Sequence, residues 1–266
     1  MSSLTAIIGA GVMGETLVSG LLRSGRPAAE LLVGERRPER ATELSDKYGV
    51  TVAPNTEVAS RADTVVLVVK PQDMGAVIDE IAPELRPGQL LVTLAAGITT
   101  AFIEARVPAG VAVVRVMPNT PARVDEGMTA VAAGSSADDA HLATAEGLLA
   151  AVGKVVRLPE SQLDAVTAVS GSGPAYVFYV VEAMIEAGVH LGLPRTVATE
   201  LVVQTVVGSA TMLRETGTHP TVLREQVTSP AGTTAAALRE LDDHKVRAAF
   251  IAAMAAAAER SHELAG

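Results

Sequence analysis

The first stretch whose spacing suggests chemistry is Gly9-Ala10-Gly11-Val12-Met13-Gly14. Glycines at this interval permit a tight turn at Gly9, close approach of a pyrophosphate at Gly11, and close helix–strand packing at Gly14. A helix beginning here would turn free N–H groups and the positive end of its dipole towards the phosphates. Val12 and Met13 belong to the same turn, so the expected contacts are Gly9, Gly11, Val12, Met13 and Gly14. An ordinary glycine-rich turn has the same letters. The apolar run before it and the helical pattern after it favour a dinucleotide site. About twenty residues further on, an acidic side chain in such a unit binds a ribose 2′-hydroxyl. Glu35 stands at that place and suits NAD. Arg36 and Arg37 follow it and suit the 2′-phosphate of NADP. Two adjacent arginines favour NADP, with NADPH as the reduced form. As solvated charges opening a helix they would carry no such meaning.

Three further groups lie where parallel strands would end, which is where ligands bind in open α/β sheets. They are Val69-Lys70-Pro71-Gln72, Ala95-Ala96-Gly97 and Met117-Pro118-Asn119-Thr120-Pro121. The expected rim residues are Val69, Lys70, Pro71, Ala96, Gly97 and Asn119. Each group alone could be loop chemistry. Much later, Ser229-Pro230-Ala231-Gly232-Thr233-Thr234 precedes an apolar helical run over 235–241. A helix start with free N–H groups and hydroxyls can hold an anion. A simple Ser or Thr cap explains the same letters, so both readings stand.

Other chemistries are excluded or disfavoured. There are no cysteines, hence no disulfides, thiolate catalysis or Cys-ligated zinc. His141, His190, His219, His244 and His262 all fall outside these motifs, in contexts suited to solvated or helix-capping imidazoles. No metal site is expected. The formal charge of −9 argues against nucleic acid, which needs a basic surface. Met1-Ser2-Ser3-Leu4 shows no basic region before a long apolar core, so no signal peptide is expected. Apolar runs break before ~18 residues, so no membrane span or membrane partner is expected and the cytoplasm is the default.

The elements that would position these residues change character along the chain. Apolar runs over 4–8, 31–34, 64–69, 90–93 and 111–117 read as strands. Stretches over 16–22, 38–48 and 74–81 read as helices. Such alternation predicts a parallel sheet covered on both faces. After Arg157-Leu158-Pro159-Glu160 no strand is expected. Helices are predicted over 173–191, 194–214 and 220–227, with two more after Gly232. Several carry apolar residues on more than one face, so they need partners on several sides. The division predicted is a Rossmann-like NAD(P)-binding domain over 1–160 and an all-α substrate-binding and dimerisation domain over 161–266. At 266 residues, 48% hydrophobic and 19% charged, the chain can fill both.

Read in order, the motifs above, with Ser170-Gly171-Ser172-Gly173-Pro174-Ala175-Tyr176, Gly192-Leu193-Pro194-Arg195 and Thr228-Ser229-Pro230-Ala231-Gly232-Thr233-Thr234, resemble pyrroline-5-carboxylate reductase over essentially the whole chain. The resemblance implies reduction of 1-pyrroline-5-carboxylate to L-proline, a small cyclic imine carboxylate as substrate, and a homodimer or an oligomer of dimers with interleaved helical domains. It implies that Asn55, in the loop before a helix, helps bind the cofactor ribose. It also implies that Val227, Ser229, Gly232, Thr233 and Thr234 hold the substrate, with Thr234 reaching the ring nitrogen as the catalytic residue. Two departures stand out. Ala231 replaces a glycine common in the family, which would stiffen the loop, and Gly217 replaces an acidic residue found in some relatives.

That chemistry suits the residue types. An imine nitrogen arrives protonated or is easily protonated, and the iminium is already a good hydride acceptor. A hydroxyl that orients the ring can therefore suffice. A β-hydroxyacid dehydrogenase would instead need a base, usually a lysine early in the second domain, and no Lys occurs from Gln162 to Asp243. A non-catalytic nucleotide-sensing module would leave the 229–234 segment unexplained.

Overall fold

Apolar β-rich segments alternate with helices to build one eight-stranded sheet in the computed structural model, which describes residues 3–264. Met1 and Ser2, which open the segment 1–4 where no signal peptide is expected, lie outside the described residues. The strands are β1 (Thr5–Ile8), β2 (Leu31–Gly34), β3 (Thr51–Ala53), β4 (Thr64–Leu67), β5 (Leu90–Thr93), β6 (Ala112–Met117), β7 (Gly127–Ala133) and β8 (Gly153–Arg157). Their spatial order is β3-β2-β1-β4-β5-β6-β7-β8. The chain thus crosses from β3 back past β1 to β4, which creates a switch point at the ends of β1 and β4. All neighbours are parallel except β6 and β7.

Both faces of the sheet are buried, as a parallel sheet requires. Ile7, Val33, Val66, Val92 and Val114 face one way, against Leu17, Val18 and Leu21 of α1 (Val12–Arg23), Leu44 of α2 (Pro38–Tyr48) and a later helix over 139–149. Ala6, Ile8, Leu32, Val65 and Leu91 face the other way. They meet Val58 of α3 (Asn55–Arg61), Met74, Ile78 and Ile81 of α4 (Pro71–Ile81), and Ile103 of α5 (Thr100–Glu104). Each such fully buried side chain is worth about 1.5–3 kcal/mol. α6 (Asp139–Leu149) contributes Ala145, Leu148 and Leu149.

Three strands escape the periodicity. β3 has three residues, none fully buried. β7 (GMTAVAA) is rich in alanine, which is depleted in strands. β8 is an edge strand carrying Lys154 and Arg157, whose charges suit an edge but blur the pattern. The antiparallel β6–β7 pair follows from a short connection through a 3₁₀ turn over Thr120–Val124, too short for a crossover.

The described residues divide into two compact units, after Ser172 and again at Ala257. The first unit holds the sheet and also α7 (Leu163–Val166) with the π-helical turn Thr167–Gly171. The segment after residue 160 thus packs with the sheet before the chain enters the second unit, whereas the division expected from the sequence falls at 160. The end of α12 (Val246–Leu264) rejoins the first unit, where Ser261 Oγ donates to Asp164 Oδ1 at 2.7 Å.

The second unit, Gly173–Ala256, is helical: α8 (Gly173–His190), α9 (Arg195–Thr216), α10 (Pro220–Gln226), α11 (Thr233–Asp243) and most of α12. α8 and α9 pack closely enough that a Cβ on Gly188 would lie 3.1 Å from Ala198 Cβ. Ala198 is nevertheless the only fully buried residue that these two helices and α10 and α11 show among the described residues. Phe178 (66%), Tyr179 (74%) and Ile251 (72%) stand in the open, with Val177, Leu201 and Val207. α9 is also long and apolar enough to cross a membrane by length and composition, at mean hydropathy 1.3. Glu200, Gly208 and Arg214 interrupt its apolar run before ~18 residues.

Candidate functional site

The glycine turn has the geometry that its letters predict. Gly9 sits at φ +100°, and a Cβ there would lie 2.7 Å from Val68 O. A Cβ on Gly14 would run into Gly9 O. Gly11 is the N-cap of α1, has no side-chain cap, and faces open space. The helix therefore starts four residues before the predicted position, and its first N–H groups, including those of Val12 and Met13, are presented bare. That arrangement fits a pyrophosphate. Behind it, Glu15 ties α1 to α2 through Arg40, Lys47 (2.9 Å) and Tyr48 (2.8 Å). The hydrogen bonds from Lys47 and Tyr48, then Arg40, hold its carboxyl at about 2.

A cavity of about 400 Å³ opens beside this turn, lined by Gly9, Glu35, Arg36, Arg37, Asn55 and Val69, among others. Asn55 opens α3 rather than lying in the loop before it, because Pro54 takes the cap. The residue is 4% exposed, and its Oδ1 is buried with no partner. A buried acceptor left unpaired is costly, and a ribose hydroxyl would satisfy this one. Gly34 is required here too, since a Cβ would lie 2.5 Å from that oxygen. The residues present therefore fit a nicotinamide dinucleotide.

Glu35 points its carboxylate back at its own neighbours. It accepts from the N–H groups of Arg36 and Arg37 (2.9 Å each) and from the Arg37 guanidinium (3.1 and 3.2 Å). Burial pushes this carboxyl up, but those bonds outweigh it and hold it below the usual range. Arg36 pairs with Glu80, on α4, which the sequence reading did not single out. Its signal was the stripe Asp73, Ala76, Val77, Glu80, whose helical spacing faces one side.

The other strand ends form different structures. Lys70 is the exposed backbone cap of α4, with Pro71 at the first helical position. Ala96 is exposed and Gly97 takes φ +75°. The loop after β5 is pinned by Glu160, which accepts from Thr100 N (2.8 Å) and Oγ1 (2.6 Å) and from buried Arg115 (3.1 Å). Burial raises the Glu160 carboxyl, and the Thr100 and Arg115 bonds more than reverse this. The amide of Asn119 is spent on the fold. Its Oδ1 accepts from Met128 N at 2.8 Å, and its Nδ2 donates to Ser170 O and Oγ at 3.2 Å each. Asn119 thereby braces the π-helical turn that leads into α8, and offers a ligand its main chain.

In the helical unit, the 229–234 segment forms the start of α11. Gly232 is the N-cap of α11, and no side chain caps the helix. A Cβ on Gly232 would meet Ser229, 3.1 Å from its carbonyl oxygen. The N–H groups of Thr233, Thr234 and Ala235 precede the first helical hydrogen bond, Ala236 N to Gly232 O. Ala231 adopts φ +58°, where glycine is favoured, so the stiffening expected there takes the form of a strained backbone. The hydroxyls of Thr199, Thr205, Thr216 and Thr228 donate to carbonyls four residues back. Half-buried Thr234 makes no such bond among the described residues. Val227 and Ser229 are exposed beside it.

The five histidines sit at helix ends. His141 completes the capping box of α6, His219 caps α10, His244 follows α11, and His190 and His262 lie in last turns. No cluster of ligand side chains suited to a metal occurs among the described residues.

Residues 160–264 match the family model described as pyrroline-5-carboxylate reductase dimerisation. Residues 5–97 match the one described as NADP oxidoreductase, coenzyme F420-dependent. A curated pyrroline-5-carboxylate reductase of Corynebacterium melassecola is 48% identical over 263 residues, covering 97% of each chain. A solved pyrroline-5-carboxylate reductase from Coxiella burnetii matches with TM-score 0.96 and 38% identity, covering 100% of both chains. Plasmodium falciparum pyrroline carboxylate reductase, solved with NADP bound, matches with TM-score 0.88 and 28% identity, covering 99% of this chain and 98% of that one.

Proposed function

This chain belongs to the pyrroline-5-carboxylate reductase family, and on that premise we propose how its residues carry the reaction. It is an oxidoreductase that reduces 1-pyrroline-5-carboxylate to L-proline, the last step of proline biosynthesis. A bound nicotinamide dinucleotide supplies the hydride.

The bare N–H groups over 11–14 receive the pyrophosphate, and Asn55 Oδ1 accepts from a ribose hydroxyl. Arg36 and Arg37 bind the 2′-phosphate, so NADPH is preferred over NADH. Val69, Lys70, Pro71, Ala96, Gly97 and the main chain of Asn119 form the nicotinamide rim. Glu35 acts by holding Arg37 and the turn.

The substrate carboxylate sits on the N–H groups that open α11, with Val227, Ser229, Gly232 and Thr233 shaping the loop. The uncapped Gly232 start is the observation that carries this reading, because a side-chain cap would take up one or two of the free donors. Thr234 Oγ1 hydrogen-bonds the ring nitrogen. As the iminium carbon accepts hydride, that nitrogen becomes an amine, and its new lone pair accepts the Thr234 O–H. No side chain need deliver a proton, in keeping with the absence of a histidine from the loop.

The functional halves divide at residue 160, with 161–266 binding substrate and pairing two copies. A homodimer, or an assembly of dimers, covers the open faces of α8, α9 and α12. The cytoplasm is the proposed compartment, in keeping with a cysteine-free biosynthetic reductase. Purified protein given 1-pyrroline-5-carboxylate and NADPH should consume both and yield L-proline in equal amounts. NADPH loss without proline would refute the reading.

A further inference from the structure

We propose that Glu80 sets how strongly the cofactor site prefers a 2′-phosphorylated dinucleotide, by competing with the phosphate for Arg36. This rests on the reading of Arg36 and Arg37 as 2′-phosphate ligands.

Glu80 lies 44 positions from Arg36 in sequence, so no local motif links them. The fold brings them together at the far end of α4. One carboxylate oxygen, Oε2, accepts from the Arg36 guanidinium and, at 3.2 Å, from Asn55 Nδ2. Asn55 is the buried residue whose other amide atom lacks a partner. Glu80 therefore touches a residue assigned to the 2′-phosphate and the residue assigned to a ribose hydroxyl, while remaining outside the glycine fingerprint.

The surrounding charge makes this more than a brace. Asp73 of the same helix stripe and Glu35 of the β2 end also line this cavity. Three carboxylates thus stand near two guanidinium groups. Arg37 is held by Glu35, and Arg36 by Glu80. A 2′-phosphate brings about −1.5 to −2 further charge. It must draw Arg36 away from Glu80, or share it while facing a like charge. A 2′-hydroxyl meets no such competition. The Glu80 carboxylate consequently weakens NADPH binding more than NADH binding.

Glu80→Gln separates charge from position. It keeps an acceptor for Asn55 Nδ2 and removes the negative charge. Titration of the full-length protein with NADPH and with NADH, followed by nicotinamide fluorescence, reads both dissociation constants. The chain has no Trp to interfere. E80Q should tighten NADPH by about three- to fivefold, as for a partly exposed charge pair, with a smaller effect on NADH. In an R36A/R37A background the same substitution should leave the NADPH/NADH ratio alone, because the competition runs through the arginine. An unchanged ratio in E80Q, or one shifted towards NADH, overturns the proposal. The two readings fail separately. If R36A/R37A weakens NADPH selectively while E80Q leaves the ratio unchanged, the arginine reading stands and Glu80 has no part in selectivity. If R36A/R37A weakens both cofactors equally, the arginine reading falls, and competition for Arg36 falls with it.

Discussion

At the scale of single residues, the account depends on donors and acceptors that the fold leaves unspent. Thr234 is the clearest case, with a half-buried hydroxyl that makes no back-bond to a helical carbonyl. In the proposed mechanism its bond to the ring nitrogen strengthens as the amine forms, so that it acts mainly on the transition state. Thr234→Ala should lower kcat by about ten- to a hundredfold, or ~1.4–2.7 kcal/mol, with cofactor affinity nearly unchanged. A variant with the parent kcat would remove the hydroxyl from the mechanism. Arg36 and Arg37 differ, because each already pairs with a carboxylate, Glu80 and Glu35 respectively. Replacing both by Ala should raise the KM for NADPH more than that for NADH, and equal effects would show that neither reads the 2′-phosphate. Asn119 shows the limit of residue-by-residue reading. Its type and place suit a ligand, but Met128 and Ser170 use its whole amide.

At the scale of elements, local sequence was informative where apolar periodicity and cap chemistry agree. β1, β2, β4, β5 and β6, and the helices of the second unit, lie close to their predicted spans. The glycine turn was legible because Gly9 and Gly14 each meet a specific steric need, while Gly11 leaves open space at the helix start. β7 was not, since alanine carries no strand signal, and β8 was not, since an edge strand need not alternate. The cap of α11 could not be chosen from its letters, because Ser229, Thr233 and Thr234 all suit capping. Only the backbone shows that Gly232 takes the position. Glu80 and Glu160 were out of reach for another reason: their partners are distant in sequence.

The α1–α2 clamp yields a test at this scale. Glu15 has its carboxyl lowered from 4.5 to about 2 in the folded protein. A lowered carboxyl pKa stabilises the fold above the unfolded value and ceases to do so as pH falls through the folded one. Its contribution should be full above about pH 4.5 and fade towards pH 2. Glu15→Gln should flatten the denaturant midpoint against pH in that window relative to the parent. Identical slopes would mean that the clamp does not hold in solution.

At the scale of the whole molecule, the two units differ in how they are stabilised. The sheet unit buries large apolar residues on both faces. The helical unit leaves Phe178, Tyr179 and Ile251 open, and apolar surface of this kind is rarely left in water. Residues 160–264 match a dimerisation family, and symmetric pairing would cover these faces. Such pairing would also cover the exposed apolar residues of α9, Leu201 and Val207 among them. Dilution should therefore lower activity and stability together. Sedimentation at micromolar protein should show at least a dimer, and a fully active species with the mass of one chain would defeat this view.

The central claim is that this reductase recognises its imine through a carboxylate held at the start of α11. The most direct measurement compares kcat/KM for NADPH-dependent reduction of 1-pyrroline-5-carboxylate and of 1-pyrroline, which has the same C=N bond but no carboxylate. Hydrogen bonds to a charged group contribute about 1.5–3 kcal/mol each. Two of them predict a preference of roughly 10²- to 10⁴-fold for the carboxylated ring, by the same conversion of energy to rate. Equal values for the two imines, or reduction of neither, would contradict the account.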